Sequence, residues 1–127
     1  MPENRSARTA VLLAEDDGGI RFLLKTLLEQ AGYAVIEAAN GEEAVKAYIG
    51  NRDVIQLVLL DVMMPKKTSK EVCEEIGKIN PDVKTILMSG YPKEVLQGRG
   101  LLEEGVAFLS KPVDPQELLK KMSELLS

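Results

Sequence analysis

Apolar positions along this chain alternate between two spacings. Thr9 to Ala14 is a short, nearly continuous apolar run and reads as a buried strand. Ile20, Leu23, Leu24, Leu27, Leu28 and Ala31 then recur at steps of three and four, which predicts a helix with Gly32 just past its end. Tyr33 to Ala38 reads as a second strand, and Asn40 caps a second helix with Ala44, Val45 and Tyr48 inward. Gln56 to Leu60 is almost wholly apolar and stops at Asp61, as expected of a central strand covered on both faces. Thr68 or Ser69 caps a third helix that turns Val72, Cys73, Ile76 and Ile79 to the core. After the turn residues Asn80-Pro81-Asp82, Val83 to Met88 is strand four. Pro92 to Gly105 holds a short or irregular fourth helix, because Gly98 and Gly100 each weaken it by about 1 kcal/mol relative to alanine. Val106 to Leu109 is strand five. Asp114 and Pro115 start a last helix with its stripe on Leu118, Leu119, Met122, Leu125 and Leu126.

Strictly alternating strands and helices predict an α/β domain, a five-stranded parallel sheet with helices on both faces. Doubly wound order 2-1-3-4-5 is the expected solution. One domain over residues 9–127 is expected, preceded by a flexible segment over residues 1–8.

Composition narrows the chemistry. Net charge is −4, which argues against nucleic-acid binding through a broad basic surface. Met1 to Thr9 lacks an apolar signal core and no run approaches membrane-spanning length, so a cytoplasmic domain without membrane contact is expected. A single cysteine, Cys73, excludes an internal disulfide and a cysteine-cluster metal site. The absence of histidine excludes a Ser-His-Asp hydrolase and a His-ligated zinc site.

In open parallel sheets ligands bind beyond the C-terminal strand edge. Strand one ends in Glu15-Asp16-Asp17, strand three in Asp61, strand four in Ser89-Gly90 and strand five in Ser110-Lys111-Pro112. Taken singly, each residue has an ordinary role. Asp16 or Asp17 is a helix cap, Asp61 or Ser89 a turn residue, and Lys111 a solvated surface lysine. Taken together they converge on one edge. Crowded carboxylates repel unless a cation joins them, and a hard cation such as Mg2+ suits carboxylates, water and a phosphate oxygen. Lys111 and Ser89 add a positive charge and a hydroxyl donor, and Asp61 sits where a carboxylate nucleophile would form an acyl phosphate.

At these residues the sequence resembles the response-regulator receiver domains of two-component signalling, from about Thr9 to Ser127. The matching segments are Val-Leu-Leu-Ala-Glu15-Asp16-Asp17, Leu-Leu-Asp61-Val-Met-Met-Pro65, Met88-Ser89-Gly90-Tyr91 and Ser110-Lys111-Pro112. The resemblance implies a flavodoxin-like three-layer fold and a domain that catalyses its own aspartyl phosphorylation and dephosphorylation. Asp61 would be the phosphoacceptor. Glu15, Asp16, Asp61 and the Met63 carbonyl would hold Mg2+, and Ser89 and Lys111 would bind phosphoryl oxygens. Further implications are a cis Lys111–Pro112 peptide and a switch-aromatic position at Phe108. Bulky Met63 and Tyr91, two residues beyond Asp61 and Ser89, imply slow loss of phosphate. Partners would be a histidine kinase or histidine phosphotransfer domain and a downstream effector. The Lys-Pro-Val-Asp-Pro-Gln-Glu-Leu-Leu ending is similar to C-terminal receivers of hybrid sensor histidine kinases, so both a stand-alone receiver and part of a longer kinase fit.

Three departures stand out. Gly18 and Gly19 replace an acidic residue and proline, so the first helix is expected to start less rigidly. Lys66-Lys67-Thr68-Ser69 replaces a pattern ending in glycine, so the turn before helix three is expected to be looser and to tolerate a positive φ poorly. Phe108 lacks the hydroxyl of the commoner tyrosine. The alternatives are a haloacid-dehalogenase-like phosphatase, which needs an acid where Met63 stands, and a receiver-like scaffold that works without phosphorylation.

Overall fold

The computed structural model describes residues 9–127, so the segment 1–8 expected to be flexible lies outside the described residues. Strands and helices alternate as β1 (Ala10–Ala14), α1 (Gly18–Gln30), β2 (Ala34–Ala38), α2 (Gly41–Asn51), β3 (Ile55–Asp61), α3 (Ser69–Ile79), β4 (Lys84–Ser89), α4 (Lys93–Gly98), β5 (Ala107–Ser110) and α5 (Pro115–Leu126). The strands form one sheet in the order β2-β1-β3-β4-β5, all neighbours parallel. This is the expected doubly wound arrangement. Among the described residues no helix is long and apolar enough to cross a membrane.

Strand periodicity divides the core in two. Successive side chains point to opposite faces. Val11, Leu13, Leu57 and Leu59 therefore pack against Leu24 and Leu28 of α1 and Leu118 and Met122 of α5. Leu12, Ala14, Val58 and Leu60 pack against Val45 and Tyr48 of α2, Val72 and Ile76 of α3, and Leu96 of α4. A continuous apolar strand is thus the signature of two cores sharing one sheet.

Helix starts follow their side chains. Asp17 accepts from the amides of Gly19 (2.9 Å) and Ile20 (3.0 Å), so α1 is capped despite its two glycines. Asn40 accepts from Glu43 N, Asp114 from Gln116 N, and Thr68 with Glu71 forms a capping box. Such caps contribute about 1 kcal/mol each. Gly32 follows the α1 C-cap at φ +100°, a left-handed conformation that costs glycine least.

Some expectations shift. β3 is longer than read and takes in Asp61, which pairs with Met88. β5 lies one residue later, at Ala107–Ser110. Ile79 ends α3 and is more than a third exposed, and Leu23, on the edge of the α1 stripe, is 68% exposed. The positive φ before α3 falls on Lys66 (φ +77°), so the turn accepts a left-handed non-glycine residue instead of avoiding one.

Candidate functional site

Four elements deliver side chains to one end of the sheet. β1 runs straight into Glu15, whose side chain is 1% exposed, and Asp16 follows on the surface. β3 ends in Asp61, itself buried. β5 ends at Ser110, and Lys111 continues through a cis peptide bond to Pro112. Strand register then brings residues fifty and ninety-six apart in sequence into contact. Lys111 Nζ donates to Glu15 Oε1 at 2.5 Å and to Asp61 Oδ2 at 3.0 Å. Carboxylate oxygens of Glu15, Asp16 and Asp61 lie within 4.8 Å of one another.

The electrostatics follow from this packing. Burial works to lower the Lys111 pKa, but the hydrogen bonds and charges of Glu15 and Asp61 outweigh it, so the ammonium is held above its ordinary range. One ammonium faces three carboxylates, leaving excess negative charge among hard oxygen donors. That donor chemistry fits a divalent cation such as Mg2+, beside the loop that opens with Met63 after β3. The Met63 amide donates to Asp61 Oδ1 at 3.3 Å, which anchors this loop to the carboxylate.

Ser89 stands on the neighbouring strand, one residue beyond the Met88 that pairs with Asp61. It is buried, and its hydroxyl oxygen accepts from Tyr91 N at 3.0 Å, with no hydrogen bond to Asp61. Lys111 N donates to Ser89 O at 2.8 Å, which ties the ends of β4 and β5 to each other. Glu15, Asp16, Asp61 and Lys111 are therefore brought together, and Ser89 is held beside them. Phe108 is half-buried against the α4 side of the core. Tyr91 and Met63 are about half exposed at the rim. Met63 offers no acid where a dehalogenase-type phosphatase needs one.

Arg21 is a contributor that the sequence alone did not reveal. Its guanidinium donates to the Glu15 carbonyl at 2.6 Å and to Glu37 at 3.2 Å, tying the β1 end to α1 and β2. The only available signal is a lone arginine one turn into a capped helix, facing the apolar stripe's border.

Comparisons with known proteins agree with this geometry. The response regulator receiver domain family matches residues 11–123. A probable transcriptional regulator, ycf27, of Cyanidium caldarium is 35% identical over 116 residues, covering 91% of this chain and 45% of that protein. The sensor kinase CckA of Brucella abortus is 31% identical over 121 residues, covering 95% of this chain and 13% of that kinase. The chain thus spans about half or less of the length of these relatives. Among solved structures, the receiver domain of the hybrid histidine kinase CckA superposes with TM-score 0.76 at 30% identity, covering 93% of this chain and 99% of that one. A receiver domain from Clostridium thermocellum gives TM-score 0.83 at 28% identity, covering 92% of this chain and 93% of that one. The sheet order, the acidic edge with its lysine, and these matches along nearly the whole sequence have one common explanation: this chain belongs to the response regulator receiver domains of two-component signalling.

Proposed function

We propose that Asp61 accepts a phosphoryl group from a phosphohistidine, and that residues 9–127 form the unit that does so. The observation that carries this reading is the Lys111 ammonium bonded at once to Glu15 and Asp61, beside a third carboxylate from Asp16. A structural ion pair needs one acid; two buried acids on one cation, with a third beside them at an open strand edge, suit a phosphoryl group and a metal ion. An Asp61 oxygen attacks phosphorus in line. The O–P bond forms as the N–P bond breaks, and the departing imidazole nitrogen retains the bonding electron pair. Lys111 Nζ, already at Asp61 Oδ2, moves onto a phosphoryl oxygen and neutralises it. Ser89 turns its hydroxyl from the Tyr91 amide to donate to a second phosphoryl oxygen. Glu15, Asp16, Asp61 and the Met63 carbonyl would hold Mg2+, which supplies further charge neutralisation when bound.

The chain contains no histidine, so the donor is another domain or chain, a histidine kinase or histidine phosphotransfer domain. Asp61 is only 6% exposed, so the donor must cover the rim. Lys111 also heads an apolar groove of about 350 Å³ lined by Ile20, Leu23, Leu27, Pro112 and Val113, which fits a donor helix carrying the phosphohistidine. A donor charged from ATP implies a cytoplasmic setting. Drawing Ser89 inward shifts the β4–α4 loop, with Phe108 as the ring that follows, and changes the α4–β5–α5 face offered to an effector. Met63 and Tyr91, each bonded through its amide to Asp61 or Ser89, crowd the approach of hydrolytic water and slow phosphate loss.

Incubation with acetyl phosphate and Mg2+, followed by peptide mapping, tests the assignment. One phosphoryl group per chain on Asp61 is expected, lost in Asp61→Asn and in excess chelator. A label that maps elsewhere, or persists in Asp61→Asn, ends this reading.

A further inference from the structure

We propose that Gly41, at the start of α2, is a positioning residue for the magnesium site, because its missing side chain lets α2 clamp the β3–α3 loop that bears Met63. The inference rests on the assignment of Mg2+ to the Asp61 site.

A backbone carbonyl cannot be aimed by its own side chain. Where Met63 O sits is decided by the course of residues 62–68. That course is fixed at its ends by Val62 N to Met88 O (2.9 Å), Ser69 N to Val62 O (3.2 Å) and the α3 capping box. Its middle makes a tight turn, with Lys67 N donating to Pro65 O at 2.9 Å around the left-handed Lys66. Among the described residues, one backbone hydrogen bond reaches 63–67 from another element: Gly41 N to Pro65 O, at 3.2 Å. This amide belongs to the first turn of α2, where no intrahelical carbonyl is available, and Asn40 already serves Glu43 instead. The loop thus completes the helix, and the helix holds the loop.

The fit leaves no room for a side chain. A Cβ on Gly41 would overlap the Lys67 carbonyl oxygen and stand 2.6 Å from Lys67 Cβ and 2.8 Å from Lys67 C. Those are main-chain neighbours or their direct attachments, so relief requires moving α2 or the loop. Gly41 has no positive φ, so its backbone conformation does not demand glycine; the close approach does. Gly50, in the same helix, has nothing within 4 Å of the place where a methyl group would stand, and it supplies the control.

The test is a Mg2+ titration followed by backbone amide NMR shifts, on wild type, Gly41→Ala and Gly50→Ala, at a temperature where all are folded. Gly41→Ala should bind Mg2+ about tenfold more weakly, a coupling of ordinary size between linked sites. Its Met63–Ser69 amide shifts should already differ before Mg2+ is added. Acetyl phosphate labelling should need correspondingly more Mg2+ yet reach the wild-type maximum rate. Gly50→Ala should match wild type throughout. A folded Gly41→Ala with wild-type Mg2+ affinity overturns the inference while leaving the site assignment standing. A wild type that binds no Mg2+ overturns both. Should Gly41→Ala fail to fold, the wild type alone decides, because coupling is reciprocal. Mg2+ must then slow hydrogen exchange of the Gly41 amide, and an unchanged rate refutes the clamp.

Discussion

The two sides of the sheet's C-terminal edge are built differently. On the β1–β3 side, every loop is tied down. Asp17 caps α1, Arg21 holds the Glu15 carbonyl, Gly41 holds Pro65, and Lys111 joins Glu15 to Asp61. On the β4–α4–β5 side the restraints thin out. α4 has six residues, follows Pro92 with no side-chain cap, and buries only Leu96. Tyr91 and Val95 are exposed, and the connection to β5 bends through Gly100 (φ +71°) and Gly105 (φ +89°). A group that must align a carboxylate, a metal ion and an ammonium needs fixed geometry. An element that must report a new charge needs a second arrangement only a little higher in free energy. Under the proposed function, chemistry belongs to the first half and response to the second, with Ser89 and Lys111 at the seam.

The largest expected effect lies in the rigid half. Lys111→Met leaves Glu15 and Asp61 buried without their cation, and should cost on the order of 3 kcal/mol in urea unfolding. Millimolar Mg2+ should restore part of that loss. Equal stability of variant and wild type in chelator would remove the basis for calling this half pre-set.

Cys73 reports on the loose half. It lines a cavity of about 490 Å³ between α3, β4 and the α4–β5 connection. Burial first, then the charges of Glu103 and Glu74, push its thiol up to about 11 from an ordinary 9.0. At pH 8 it should alkylate about a hundredfold more slowly than an exposed cysteine, from its smaller thiolate fraction. Loading with beryllofluoride and Mg2+ should speed alkylation if the connection carrying Glu103 shifts; an unchanged rate would argue that the response bypasses it. Stability changes with pH through the same shift. The folded pKa is raised, so the contribution is complete below pH 9 and is lost as pH rises toward 11. Wild type should therefore lose on the order of 2 kcal/mol relative to Cys73→Ala across that window.

Smaller changes refine the boundary. Gly100→Ala forces alanine into a left-handed conformation and should cost about 1 kcal/mol. Gly98→Ala, with open space and no positive φ, should instead firm α4 by up to about 1 kcal/mol and slow its amide exchange. If both leave exchange in α4 as slow as in β1 and β3, the two halves are not different in stability. Least is expected of Ser69→Ala. Its hydroxyl is the one buried side-chain nitrogen or oxygen among the described residues that finds no partner. Its removal should be neutral or raise stability by about 1 kcal/mol in thermal unfolding.

The elements and their order were legible in the amino-acid sequence, because they depend on local rules. Apolar runs and three-four spacings marked strands and helices, Asn40, Asp114 and the pair Thr68–Ser69 announced their helices, and the strand-end acids and Lys111 were expected on the one edge where they meet. What depends on who lies opposite emerged only once the chain was folded. Periodicity gives the direction of a helix face but not the width of the surface covering it, so Leu23 and Ile79 read as core and emerge exposed. Distances between Lys111, Glu15 and Asp61 follow from register across the β-sheet, which no local spacing encodes. Arg21 reaching a carbonyl, and Gly41 making room for Lys67, are contacts between segments remote in sequence. A residue chosen for what approaches it leaves no mark on its own neighbours in the chain.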